Sequence, residues 1–114
     1  MKALTIKQPW ATLIMQGDKR FEFRSWQTKY RGDLLIHAGK GIDKEAMKRL
    51  AKYLPAELPY GKILGKVKLV DCIKMSQEFK ELLLKENSDI YILKALFKKT
   101  MDGKFQMLKY LKKQ

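Results

Sequence analysis

The chain has 114 residues, 46% of them hydrophobic, and a formal net charge of +13 at pH 7, which indicates one folded domain that favours anionic partners, nucleic acid before acidic membranes. One cysteine and one histidine exclude an internal disulfide and a zinc site built within the chain, so no cofactor is expected. No apolar run reaches the roughly 18 residues of a membrane span, and the N-terminal segment lacks a signal peptide's apolar core, so we expect a cytoplasmic protein.

A short strand and a two-turn helix are predicted first. Residues 2–6 alternate between polar and apolar, as a half-buried strand does. Pro9 then stands at a first helical position, where its missing N–H is harmless, and Gly17 ends the helix. Trp10, in the first turn, is either a stacking platform for a base or part of the core, because tryptophan buries a large apolar area.

The stretch from Gly17 to Trp26, GDKRFEFRSW, concentrates charged and aromatic side chains. Alternate side chains of a strand point to opposite faces, so Phe21 and Phe23 enter a core, and Glu22 and Arg24 share the other face. The candidate site residues gathered here are Lys19, Glu22, Arg24, Ser25 and Trp26. Their chemistry suits a flat, polar, anionic ligand. The alternative is an amphipathic edge strand with a solvated ion pair.

A second strand and a helix follow. Residues 33–38 predict a mostly apolar strand, and residues 39–41 a break in it. His37 is either a structural residue at the strand's end or a hydrogen-bonding group in a pocket. Asp43 then caps a helix, whose basic face is either solvated or a surface for a protein partner. The residues of that face are Lys44, Lys48, Arg49 and Lys52.

Residues 61–75 form the longest alternating run and predict a long strand. Strict alternation places Asp71 in its apolar row, and a buried carboxylate needs partners. Either a bulge turns Asp71 out to solvent, or the side chain stays inside and pairs with Lys19 or Arg24. In the second case Asp71 joins the candidate site.

The last part of the chain predicts one more helix and then a tail of different character. Ser76 caps the helix, which ends near Asn87, and its apolar stripe consists of Phe79, Leu82 and Leu83. Residues 94–114 hold seven lysines and one aspartate, a net charge of +6, and show no strand pattern. We therefore divide the chain into a domain, 1–93, and an atypical basic tail, 94–114.

Six motifs follow one another along the first 75 residues or so: Gln8-Pro9-Trp10-Ala11, Gly17-x-Lys19-x-x-Glu22-x-Arg24, Ser25-Trp26, Tyr30-Arg31-Gly32, Leu35-Ile36-His37-Ala38 and Gly65-x-Val67-x-Leu69-Val70-Asp71-Cys72. Together they resemble the ASCH domain, the activating-signal-cointegrator homology family related to PUA domains. The resemblance implies an α+β fold, a small PUA-like β-barrel with flanking helices, which the tail would leave incomplete. It also implies a cleft, rimmed by the central motif, that binds RNA or a nucleotide.

The resemblance implies alternatives as well. Some bacterial relatives hydrolyse the N4-acetyl group of acetylcytidine, and Lys19 stands at the position of their catalytic lysine. Glu22 replaces their threonine, and Asp71 is the candidate acid. The ligand-binding residues would then be Trp10, Arg24, Ser25, Trp26 and His37. A coactivator-like protein-partner module is a further alternative, and an open barrel edge would permit a homodimer.

The tail departs from the family, whose members end in further barrel strands. One choice of codons for residues 106–113, translated two bases later, gives NVEVFEE, which looks like the family's usual continuation. We therefore hypothesise that the tail results from a shifted reading frame. A helix specific to this lineage is the alternative.

Overall fold

The computed structural model describes residues 2–24, 28–74 and 76–91, together with the backbone of 106–112. The strands are β1 (Lys2–Gln8), β2 (Phe21–Arg24), β3 (Gly32–Ile42), β4 (Lys62–Lys74) and β5 (Gln106–Lys112). The helices are α1 (Trp10–Gln16), α2 (Lys44–Arg49), α3 (Gln77–Glu86) and α4 (Ser88–Tyr91), and a 3₁₀ turn covers Ala51–Tyr53. This mixture confirms the predicted α+β class.

The five strands form one sheet in the order β1-β3-β4-β5-β2. β1 runs parallel to β3, and the other neighbours are antiparallel. In the ranges that the structure describes, no ladder joins the edge strands β1 and β2, so the predicted barrel is not closed. β2 is only four residues long, and it reaches β1 through a side chain rather than through its backbone. We call the gap between these two strands the seam.

The tail supplies a strand, which corrects the expectation that it contains none. β5 pairs with β4 from residue 106 to 112 and with β2 from 106 to 109. Ladders on both sides satisfy the backbone of this segment, and such tertiary pairing overrides a weak sequence pattern. The domain limit at residue 93 and the shifted reading frame stay predictions.

The hydrophobic core lies between α1 and the inner face of the sheet. The buried α1 residues include Ala11, Leu13 and Ile14, and alternate positions of the strands face them. The buried apolar residues of β1, β3 and β4 are Ile6, Leu34, Ile36, Ala38, Val67 and Leu69. Every second strand residue therefore enters the core, as the period of a strand requires.

Helices α3 and α4 hold the start of β2 in place. The ring of Phe21 packs edge-on against Phe79 of α3, with 5.2 Å between ring centroids, and against Tyr91 of α4, at 6.2 Å. The Tyr91 hydroxyl accepts a hydrogen bond from the backbone N–H of Arg20 at 3.0 Å. Burial raises the pKa of this phenol above its usual value. The aromatic cluster anchors the segment that carries the candidate site.

Both predicted helix caps are confirmed, but the apolar stripe of α3 differs from the prediction. Asp43 accepts from the N–H of Ala46, and Ser76 accepts from the N–H of Phe79. The Leu82 side chain, predicted to be buried, is 63% exposed. α3 instead turns Leu83 toward the core, one helical turn after Phe79.

The predicted break at residues 39–41 is wrong, because β3 continues through these residues to Ile42. Two glycines there are places of close approach to β1. A Cβ added at Gly39 would lie 3.0 Å from Cγ2 of Thr5, and one at Gly41 would lie 3.2 Å from Cγ of Lys7. The glycines therefore make room for two β1 side chains instead of ending the strand.

Candidate functional site

The chain turns sharply between α1 and β2, and this turn positions Lys19. Gly17 ends α1 in the left-handed conformation, with φ at 90°, where glycine is favoured. The backbone N–H of Lys19 then donates to the carbonyl of Leu13 at 3.1 Å. Lys19 is thereby held against the end of the helix, directly before β2.

Lys19 and Glu22 form a buried ion pair, which the alternative of an edge strand with a solvated ion pair does not describe. The Lys19 Nζ atom lies 2.7 Å from Glu22 Oε1, and the two side chains are 2% and 10% exposed. The ammonium also lies 4.4 Å from the ring centroid of Trp10 and 5.8 Å from that of Phe23. The carboxylate and two aromatic faces together compensate for its lost hydration.

Arg24 crosses the seam. Its Nη2 atom donates to the carbonyl of Thr5 on β1 at 3.1 Å and lies 3.6 Å from Glu22 Oε2. The Glu22 carboxylate therefore lies between two cations, Lys19 and Arg24. The Arg24 Nε atom is buried and has no acceptor among the described residues. This donor of the guanidinium is thus unsatisfied within the described ranges, although it is closed to solvent.

Trp10 belongs to the core and also lines the cleft, and its role as a stacking platform for a base stays a prediction. Its side chain is 8% exposed, and its Nε1–H donates to Asp43 Oδ2 at 3.1 Å. Asp43 is also the N-cap of α2. The indole is therefore fixed at one edge by this carboxylate, while the ammonium of Lys19 lies over its ring.

A cleft of about 450 Å³ opens at the seam, within the volume range of small-molecule sites. β1, β2, β3 and α1 all contribute side chains to its wall, among them Thr5, Lys7, Trp10, Glu22, Arg24 and Lys40. Lys7 and Lys40 form no ion pair in the described part of the chain. The wall thus carries three cations and one carboxylate, which favours an anionic ligand.

His37 lies next to the cleft rather than in its wall. Its Nδ1 atom is 3.1 Å from Oγ1 of Thr5, which does line the cleft. The other two predicted binding residues, Ser25 and Trp26, lie outside the described residues.

Asp71 does not join Lys19 and Arg24, and the bulge alternative describes its position. The register of β4 against β5 shifts between Leu69 and Asp71. The Asp71 side chain is 52% exposed, and its Oδ1 atom lies 3.7 Å from Nη2 of Arg31. The same oxygen accepts from the backbone N–H of Cys72 at 2.8 Å. The bulge gives this carboxylate solvent and a surface partner, so it needs no buried one.

The basic face of α2 is partly neutralised. Arg49 pairs with Glu45 at 2.7 Å and donates to the carbonyl of Asp89. Lys52 lies 3.0 Å from Asp89 Oδ2, a contact that lowers the pKa of Asp89 and raises that of Lys52. Lys44 and Lys48 make no ion pair within the described ranges. Only half of the predicted basic face is therefore available to a partner.

Three residues of the cleft wall, Thr5, Lys7 and Lys40, escaped prediction. The alternation of β1 shows which of its residues share a face, but it does not show that β1 and β2 meet at a seam. Gly39 and Gly41 were the one available signal, because strand glycines mark close approach of another chain segment. In the ranges that the structure describes, no cluster of His, Cys, Asp and Glu could hold a metal, and no helix is long and apolar enough to cross a membrane.

Comparisons with known proteins agree with the motifs. A sequence model of the ASCH domain matches residues 4–110, which includes most of β5. The chain is 40% identical over 89 residues to Activating signal cointegrator 1 of Homo sapiens, an alignment that covers 68% of this chain and 15% of that protein. The mouse protein of the same name is 40% identical over 85 residues, covering 65% and 15%. The chain thus spans about 15% of the length of these relatives.

Proposed function

The chain belongs to the ASCH domain family, whose fold is PUA-like, and on this basis we propose that its cleft binds one unpaired nucleotide of an RNA chain. The observation that carries the proposal is the composition of the cleft wall. A buried carboxylate and an indole lie beside cations without carboxylate partners in the described ranges. These are the groups that recognise an unstacked base together with its phosphate.

Each group of the wall has a distinct task. The Glu22 carboxylate accepts a hydrogen bond from an exocyclic amine of the base, and the partly exposed guanidinium of Arg24 donates to a base or sugar oxygen. Trp10 supplies the apolar surface against which the base packs. Lys7 and Lys40 neutralise the phosphate. Lys19 does not line the cleft. It acts as a positioning residue, because it holds Glu22 and the indole in place from behind.

Arg24→Gln is expected to weaken RNA binding about tenfold or more, since a hydrogen bond to a charged group contributes about 1.5–3 kcal/mol. Fluorescence polarisation of a labelled single-stranded RNA octamer measures the affinity. Arg49→Gln on α2 is the matched control, because it removes the same charge away from the cleft and should change the affinity less than twofold. Equal affinities of the two variants would contradict the proposal.

An amidohydrolase is the second candidate, and the short contact between Lys19 and Glu22 favours it. In this candidate Glu22 takes a proton from water, and the water oxygen attacks the acetyl carbonyl. Glu22 then returns the proton to N4 as the C–N bond breaks, so the amine leaves and the acetyl group becomes acetate. The products of N4-acetylcytidine are cytidine and acetate. The structure keeps Asp71 away from this pair, so the earlier assignment of Asp71 as the acid has no support from the contacts.

The second candidate predicts that purified protein releases cytidine from N4-acetylcytidine and that Glu22→Gln, which keeps the side-chain shape, abolishes the release. Chromatography detects free cytidine. A folded wild-type protein that releases none ends this candidate and leaves the binding proposal untouched. A homodimer formed through the edge of β1 or β2 also remains a proposal. Nucleotide binding at the cleft does not depend on it, because one copy of the chain supplies the whole cleft wall.

The relatives bear the name Activating signal cointegrator 1, and on this name we base a protein-partner module as the third candidate. Lys44 and Lys48 are the α2 cations that would carry it. If these lysines bind a protein partner, replacing both by glutamine should leave the affinity for RNA unchanged.

A further inference from the structure

Helix α1 packs against one face of the sheet, and two lysines of β4, Lys66 and Lys68, lie on the opposite, outer face. Val67 is fully buried, whereas Lys66 and Lys68 on either side of it are exposed. A Cβ added at Gly65 would come within 2.6 Å of Cε of Met15 in α1. Gly65 and Val67 therefore face the helix, and alternation turns Lys66 and Lys68 the other way.

The outer face is continuous with the cleft. Thr5 lines the cleft and pairs in register with His37 of β3, which in turn pairs with Ile63 of β4. The register of β3 against β4 shifts between Ile36 and His37, so Ile63 lies on the face of His37 and not on that of Gly65 and Val67. Neighbouring strands lie about 4.8 Å apart, so this row extends about 10 Å from the cleft. The Ile63 side chain is 49% exposed. In the next row, Lys66 pairs with Leu35. We call Thr5, His37, Ile63, Lys66 and Lys68 the outer strip.

The charge of the outer strip is positive. Lys66 and Lys68 form no ion pair in the part of the chain that the structure describes. Asp33 lies opposite Lys68 in register and has an interaction of its own. Lys7 and Lys40 add two more cations where the outer strip meets the cleft. The cations thus extend from the cleft across three strands.

We propose that the outer strip binds the sugar–phosphate chain on one side of the nucleotide held in the cleft. The ligand is then a segment of single-stranded RNA rather than a free nucleotide. Lys66 and Lys68 contact successive phosphates, His37 and Thr5 offer hydrogen bonds to sugar hydroxyls, and Ile63 packs against a ribose or base. This inference rests on the proposed function, because it extends the same site.

The test compares two double variants that remove equal charge. Lys66→Gln with Lys68→Gln alters the outer strip, and Lys44→Gln with Lys48→Gln alters α2. The probes are a labelled single-stranded RNA octamer containing all four bases, titrated at several salt concentrations, and each of the four nucleoside monophosphates. Thermal melts followed by circular dichroism establish that both variants fold.

We expect the outer-strip variant to bind the octamer about tenfold more weakly at low salt. The slope of log affinity against log salt should fall by about 1.4, which corresponds to two lost phosphate contacts on a single strand. Its affinity for the monophosphates should equal that of the wild type. The α2 variant should bind all probes within twofold of the wild type.

The possible results separate the two proposals. If the outer-strip variant binds the octamer as the α2 variant does, or if it loses affinity for monophosphates, the outer strip is not a backbone site. The outer-strip proposal is also overturned if the wild-type protein binds the octamer no more tightly than it binds a monophosphate. If Arg24→Gln leaves octamer binding intact and the outer-strip variant weakens it, the cleft proposal fails and the outer strip stands as an RNA surface.

Discussion

Glu22→Ala is expected to lower the free energy of unfolding by about 3–5 kcal/mol, because it leaves a buried ammonium without its carboxylate. The Lys19 side chain is 2% exposed, and Glu22 Oε1 is its acceptor at 2.7 Å. Urea unfolding followed by circular dichroism measures the change.

Glu45→Ala is the matched control for this effect. It removes the same side chain from an ion pair at the same distance, 2.7 Å, but the Glu45 side chain is 68% exposed. A surface pair of this kind contributes about 0–1 kcal/mol. Replacing Lys19 by Met together with Glu22 by Leu should recover most of the loss, because the pair then disappears as a unit. Similar losses for the two alanine variants would show that the Lys19–Glu22 pair is hydrated.

Trp10→Leu is expected to weaken RNA binding about tenfold to a hundredfold, since packing of a base on an aromatic ring contributes about 1–3 kcal/mol. The ring also lies 4.4 Å from the Lys19 ammonium, so leucine removes this contact and lowers stability as well. Fluorescence polarisation with the RNA octamer gives the affinity, and a urea melt gives the stability.

Trp10→Phe separates the role of the ring from that of its N–H. Phenylalanine keeps an aromatic face but loses the hydrogen bond from Nε1 to Asp43, which costs about 1 kcal/mol of stability. RNA affinity should therefore stay within a fewfold of the wild type, while Trp10→Leu loses most of it. If both variants bind equally well, the indole is only a core residue and the nucleotide does not pack on it.

Local rules account for what the sequence determined about this protein. The caps Asp43 and Ser76 and the helix stop at Gly17 lie where predicted, because each depends on bonds within a few residues. The motif order was enough to identify the family, and the charged, aromatic character of residues 17–24 marked the cleft. These features need no knowledge of which strands become neighbours.

Alternation has a more limited reach, as Asp71 and Leu82 show. A period of two places Asp71 in the apolar row, but a register shift in β4 turns it to solvent. The predicted apolar stripe of α3 contained both Leu82 and Leu83, but only Leu83 is buried. The hydrophobic pattern shows which residues share a face of a strand or helix, but packing against the neighbouring element determines which face is buried.

Only the tertiary structure decided that the Lys19–Glu22 pair is buried, that Arg24 reaches Thr5 and that residues 106–112 enter the sheet. Each of these depends on contacts between segments far apart in sequence. The side-chain period of β2 is the same whether its polar face meets water or another strand. The seam between β1 and β2 therefore distinguishes a solvated edge from a cleft, because it buries most of the Glu22 carboxylate while Lys7 and Lys40 stay in the cleft wall.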